Sequence, residues 1–310
     1  MRVIPVVLLL VTSTLVRAAA DDRADMPSAK RASTMSSGVR IVRSTSGGEA
    51  CSLAESPNFR IYWTTEESEL RALAARCERL AVTSKEAWLG KTRAVVWTPK
   101  CDVVVHSQTA EYVQSLGPGS EQTSGCATIR LEQGRVVVRQ IDLRADALDW
   151  KSETLPHELT HVVLADRFCS TRISPWADEG IAMLAETPEK LKRRLADLRQ
   201  VATVGMVYGV RDLMNVRTNP EQSSRAAFYG QSLALVSLLL DSGSREQLLQ
   251  FVEASQLKGH EAALREVYGK GQAAEFERQF REYQLTERPL AWSNQKMVAA
   301  AITSHGAALP

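Results

Sequence analysis

The stretch Leu155-Pro-His-Glu-Leu-Thr-His-Val-Val-Leu164 decides how the rest of the chain is read. It contains His157-Glu158-Leu159-Thr160-His161, the HExxH pattern. On a helix, residues four apart stand one above the other, so His157 and His161 aim two imidazoles at one point. Glu158 is offset by one residue and reaches the same point from the side. Two nitrogen ligands beside a carboxylate that can take a proton from water are what a catalytic Zn²⁺ requires. Of only five histidines in the chain, two are here. Leu155, Leu159, Val162 and Val163 share an apolar face for burial. Pro156 belongs in the first turn, where its missing N–H does no harm. Helix is expected from Trp150 to Phe168. Asp166 and Thr160 are available either as hydrogen-bond partners of a ligand histidine or as solvated residues.

Working outward, 17 residues separate His161 from Glu179, which lies in Trp176-Ala-Asp-Glu-Gly-Ile-Ala-Met-Leu-Ala-Glu186. Ser174 as N-cap and Pro175 at the first helical position open a second helix, and Pro188 ends the stretch. A short connection lets the two helices pack antiparallel and bring Glu179 to the metal. Two histidines and one glutamate leave a fourth position for water, which is the catalytic rather than the structural type of site.

HExxH followed by a Trp-x-x-Glu-Gly helix resembles the gluzincin metallopeptidases, whose members include thermolysin and the large zinc aminopeptidases. Asp178-Glu179-Gly180 is similar to the Asn-Glu-Gly around the third ligand of the aminopeptidases. The layout looks most like the compact, peptidase-MA-like bacterial proteins. Residues 155–187 carry the resemblance, which extends more weakly to about 286. The chain lacks the Gly-rich substrate-amine motif of the aminopeptidases, and Met183 stands where thermolysin has an acidic residue. The resemblance implies an α+β fold: a zincin-like N-lobe with a small sheet, long helices and the HExxH helix, then a mostly helical C-lobe. It also implies peptide-bond hydrolysis, with His157, His161 and Glu179 as zinc ligands and Glu158 as general base. In such folds an edge strand binds extended substrate by β-addition. Tyr229, in Tyr229-Gly-Gln-Ser232, is placed like the aminopeptidase tyrosine that steadies the oxyanion; the alternative is a core tyrosine with a satisfied hydroxyl. A zincin scaffold that binds metal and a partner without proteolysis is the alternative function.

Composition bounds the setting. Met1-Arg2, an apolar run from Val3 to Val16 and Ala18-Ala19-Ala20 read as a signal peptide cleaved near Ala20. That run is shorter than the ~20 residues of a spanning helix, so the mature chain is expected to be exported and free of membrane segments. Losing Arg2 and Arg17 with the leader leaves 36 basic against 36 acidic residues. A chain with no net charge gives no electrostatic case for nucleic acid, and the expected partner is a peptide or protein substrate. Five cysteines (Cys51, Cys77, Cys101, Cys126 and Cys169) are an odd number, so at least one is unpaired. Cys77 reads as a buried core thiol.

The remaining organisation follows from pattern. Residues 21–57 are polar and Ser-rich and read as a linker, with one strand at Val39–Arg43. The N-lobe spans 58–148. Within it, Phe59–Trp63 and Cys101–His106 are strands, and Thr64 with Glu67 resembles a capping box before a long helix that Gly90 stops. His106 is a strand-end residue or a substrate contact. Cys126–Leu131 and Arg135–Ile141 flank Glu132-Gln-Gly134 as a hairpin. The active-site helix and helical C-lobe span 149–286. The Lys/Arg-rich segment with Leu191, Leu195 and Leu198 reads as a helix with a solvated basic face. Phe228–Leu240 is apolar nearly all round and should be a central helix. Residues 287–310 form a tail.

Overall fold

The computed structural model describes residues 33–36, 38–46, 49–90, 96–218, 220–269 and 273–292. The expected signal peptide and most of the expected tail lie outside them. The chain is α+β. Its strands are Ser33–Ser36 (β1), Val39–Ser46 (β2), Glu49–Glu55 (β3), Phe59–Tyr62 (β4), Cys101–His106 (β5), Gly125–Glu132 (β6) and Arg135–Arg144 (β7). Its helices are Glu67–Leu89 (α1), Thr109–Leu116 (α2), Leu155–Arg167 (α3), Pro175–Met183 (α4), Pro188–Thr203 (α5), Val210–Asn215 (α6), Arg225–Ser242 (α7), Arg245–Lys258 (α8), His260–Tyr268 (α9) and Ala273–Tyr283 (α10).

One mixed sheet runs β1-β2-β3-β4-β5-β7-β6. β5 lies parallel to β4 and β7, and the other pairings are antiparallel. The stretch expected as a linker is therefore a meander over much of its length. Its Ser-rich composition hides a one-sided pattern in which Val39, Ile41 and Ala54 supply the buried face. The β6–β7 hairpin turns on Gln133 and Gly134, at φ 51° and 71°. Both lie in the left-handed region that a two-residue hairpin turn of the primed type requires. β6 closes one side of the sheet and pairs, among the described residues, with β7 alone.

Two apolar clusters meet on α3. Leu155, Leu159, Val162 and Val163 pack with Phe59, Ile61, Val103 and Ile141 of the sheet and with Leu70 and Cys77 of α1. One turn further, Leu164 and Phe168 join Trp176, Ile181, Phe228 and Leu235 of the helical layer. Each fully buried aliphatic or aromatic side chain contributes roughly 1.5–3 kcal/mol relative to exposure, so α3 is fixed from both sides. Its last turn is also clamped, because Arg167 binds Glu246 and Glu253 of α8 at 2.7–2.9 Å.

Three local expectations need correction. The N-cap of α1 is Glu66 rather than Thr64, and its side chain makes no cap bond. Ser174 does cap α4, but through its carbonyl, which accepts from Ala177 and Asp178; its side chain makes no cap bond. α4 stops at Met183, and three tightened i→i+3 turns carry the chain to Glu186. Pro188 then opens α5, as a first-turn proline, rather than ending α4.

Gly180, the residue after Glu179, sets the α4–α7 distance. A Cβ there would lie 2.6 Å from the Ser232 backbone oxygen and 2.5 Å from Val236 Cγ2. Helix propensity alone favours Ala over Gly by about 1 kcal/mol, whereas overpacking a close contact costs about 1–3 kcal/mol. Because two of the three nearest atoms are Ser232 backbone, which cannot swing aside, Gly180→Ala should lose on balance and lower the melting temperature in a thermal scan. An unchanged or raised midpoint would mean that the two helices part freely.

Candidate active site

α3 begins in a π-type turn over Trp150–Thr154 that starts at Asp149, itself left-handed at φ 62°. Turns of this kind recur at functional sites. Ser124, just before β6, bonds Thr154 at 2.8 Å and ties the edge strand to the start of α3. Gly125 carries the approach further. A Cβ on it would sit 2.4 Å from Thr154 Cγ2 and 3.2 Å from Glu158 Cγ, so β6 lies directly against the Glu158 turn.

On the polar side of α3, the rings of His157 and His161 stand 4.9 Å apart. α4 packs across them and supplies Glu179. One ligand atom from each of His157, His161 and Glu179 lies within 4.8 Å of the others. Among the described residues no other group of three His, Cys, Asp or Glu side chains converges in this way. His157 Nε2 and Glu179 Oε2 are 3.4 Å apart. Two ligands at ~2.0–2.1 Å from one zinc, at a tetrahedral angle, would be separated by roughly 3.4 Å. The donor set, two imidazoles and one carboxylate, therefore fits zinc in chemistry and in spacing.

The ring nitrogens that face away from this point are also engaged. His161 Nδ1 is 2.8 Å from Asp178 Oδ1. His157 Nδ1 is 2.9 Å from Glu186 Oε1, close enough for an ion pair but without the alignment of a hydrogen bond. Glu186 is fully buried and also receives a two-point grip from Arg194, Nε to Oε2 at 2.8 Å and Nη2 to Oε1 at 2.7 Å. Lys190 adds a third cation 3.2 Å from Glu186 Oε1.

This crowd of carboxylates governs the protonation of the site. Burial disfavours charge on His157, but the nearby carboxylates of Glu179 and Glu186 outweigh it and lift the imidazole to about 8. Burial acts the same way on His161, where Asp178 and then Glu179 and Glu158 lift it to about 10. Burial would also raise Glu179, yet His157 and His161 hold it below the usual carboxylate range. Arg194 and His157 likewise overcome burial and hold Glu186 well below that range. Glu158 goes the other way: burial pushes it up despite the two histidines. The carboxylates favour positive charge at both imidazoles. The site thus has an electrostatic demand for a cation that a divalent ion would meet.

Glu158 has no side-chain hydrogen-bond partner among the described residues and lies outside the three-residue ligand group. Tyr229, on α7, is half-buried. Its phenol is raised, first by the Glu179 carboxylate and then by burial. The Arg194 guanidinium stacks 5.1 Å from its ring centre, and its hydroxyl has no side-chain partner among the described residues.

Other candidates fall elsewhere. Asp166 accepts from Trp97 Nε1 at 2.7 Å and from Arg139 Nη2 at 2.5 Å, and Thr160 donates to the Pro156 carbonyl at 2.9 Å, so neither bonds His157 or His161. His106 is buried against Asp142 at 2.9 Å and stacks edge-on with Tyr112, outside the ligand group. Cys77, Cys101, Cys126 and Cys169 are free thiols. Cys126, on β6, is pushed up to about 12 by burial and then by Glu158, which keeps it protonated. No helix among the described residues is long and apolar enough to cross a membrane.

A search of curated proteins finds no match to the chain. The family model described as the Peptidase MA superfamily matches residues 119–284, a span that runs from the approach to β6 through the ligand helices to the end of α10. That match covers more than half of the 310 residues, and the protein belongs to the peptidase MA superfamily.

Proposed function

We propose that the protein is a zinc-dependent peptidase of the gluzincin type. The observation that carries this reading is the convergence of His157, His161 and Glu179, with Glu158 beside them and unpartnered. A bound zinc ion would supply Lewis acidity, lowering the pKa of a water and polarising the scissile carbonyl. The protein's own side chains do the rest. Glu158, a buried carboxylate raised above its usual range, takes the proton from water and delivers it to the leaving amine. Tyr229 donates its unpartnered hydroxyl to the oxyanion. The free side of β6, held against the Glu158 turn by Gly125, offers main-chain donors and acceptors to an extended peptide. Asp178 and Glu186 fix the ring orientations of the two histidines.

The test is direct. The purified chain should carry about one zinc per molecule, and the zinc-loaded protein should cut members of a mixed peptide library. Removal of the metal with a chelator should abolish cleavage, and added Zn²⁺ should restore it. Cleavage that survives the chelator would refute the metallopeptidase. Stoichiometric zinc with no cleavage would favour the non-proteolytic binding protein.

A further inference from the structure

We propose that the cavity beside Tyr229 is a carboxylate-binding subsite in which Arg225 is the recognising group. Substrates would then carry an Asp or Glu side chain, or a free C-terminus, on that side of the scissile bond. The inference rests on the peptidase reading and adds the substrate class to it.

The cavity measures about 500 Å³ and is walled by Gln122, Arg194, Asp197, Gln222, Arg225 and Tyr229. That volume lies within the roughly 300–1,000 Å³ of small-ligand sites. Arg194 joins it to the candidate ligands, since it lines the cavity and grips Glu186, whose Oε1 lies 2.9 Å from His157 Nδ1. The first turn of α7 places Arg225 four residues before Tyr229, on the same helical face. A group seated in this cavity is therefore separated from His157 by Arg194 and Glu186.

The two arginines in the wall are not equivalent. Arg194 is committed, because both ends of its fork are held by Glu186. Arg225 has no carboxylate partner among the described residues. Its side chain donates instead to a neutral amide oxygen, Nη1 to Gln122 Oε1 at 2.7 Å. A carboxylate that displaced this amide would convert a neutral-acceptor bond into a charge-assisted one, roughly twice as strong, and would match the planar fork in two places. Gln122 and Gln222, both exposed at the mouth, offer side-chain N–H donors to the same oxygens. Asp197 opposes the preference. It is exposed on α5, where water screens it, whereas Arg225 is half-buried, so it moderates the attraction without cancelling it.

The experiment uses pairs of internally quenched peptides with the zinc-loaded full chain. One arm exchanges Glu for Gln at successive positions around the scissile bond; the other exchanges a free C-terminal acid for its amide. One arm or the other should show kcat/KM higher for the acid by about tenfold or more, and the arm that responds identifies the source of the carboxylate. Arg225→Gln should bring the ratio to about one, Asp197→Asn should raise it, and Arg265→Gln on α9 should leave it as in the wild type. Equal kcat/KM in both arms, or a ratio that survives Arg225→Gln, would overturn the subsite. If no peptide is cut, the peptidase reading has failed, and the same peptides, fluorescently labelled, are titrated by anisotropy. Acid-over-amide binding that is lost in Arg225→Gln would uphold the carboxylate site, and equal binding would overturn it.

Discussion

Glu158→Gln is expected to keep its metal and lose its turnover, with kcat falling by on the order of 10²–10⁴. The substitution preserves shape and removes only the ability to take up a proton. Little else depends on the charge. Glu158 is not one of the three converging ligands, and it forms no side-chain bond among the described residues whose loss would disturb packing. Its carboxylate is raised by burial despite the two histidines, so an uncharged amide relieves a desolvation cost. The melting temperature should therefore be unchanged or slightly higher, and zinc content should stay near that of the wild type. Loss of zinc together with activity would instead make Glu158 part of the metal's support. A kcat within a few-fold of the wild type would remove it from the proton-transfer role altogether.

How much of this was legible in the sequence depends on the range of the signal. The convergence of His157 and His161 was readable because HExxH is a local pattern whose geometry follows from helical pitch alone. Glu179 was readable because it lies on the next helix, across a short connection. The β6–β7 hairpin and the all-round apolar α7 were equally local. The partners behind the ligands were not. Asp178 sits next to Glu179 in sequence, but the partners expected there were Asp166 and Thr160, and it is Asp178 that meets His161. Glu186 reaches His157 only because the chain tightens after Met183, a detail no periodicity encodes. Arg194 belongs to a basic run that reads as a solvated face. Three of its neighbours fit that description, since Lys192, Arg193 and Glu189 are not fully covered, but Arg194 turns inward to Glu186. The linker reading failed for a related reason. Ser and Thr are neutral in composition, and the meander they build is recognisable only when its buried face meets α1.

Glu186→Gln is expected to cost both metal affinity and stability, and the two losses should separate. Removing the charge leaves His157 without the carboxylate that sets its ring and its proton. Substitutions of this kind typically weaken metal binding by about 10–100-fold. It also leaves the Arg194 guanidinium facing an uncharged amide inside the protein, and breaking one side of a buried ion pair costs about 3–5 kcal/mol. The sign with pH follows from the folded state. Glu186 lies well below its ordinary value, so its contribution is complete above the unfolded carboxylate pKa and fades as pH falls toward the folded one. Near neutral pH the full penalty should therefore appear. Adding Arg194→Met to Glu186→Gln removes the stranded cation and should recover much of the melting temperature, whereas zinc affinity in a competition titration should stay low. Asp178→Asn is the companion. Asp178 is more exposed, at 29% of its side chain, and no second cation depends on it, so it should lower zinc affinity with little change in melting temperature. If Glu186→Gln binds zinc as tightly as the wild type, the carboxylate serves the fold through Arg194 alone, and His157 is oriented by the packing of α3 between its two apolar clusters.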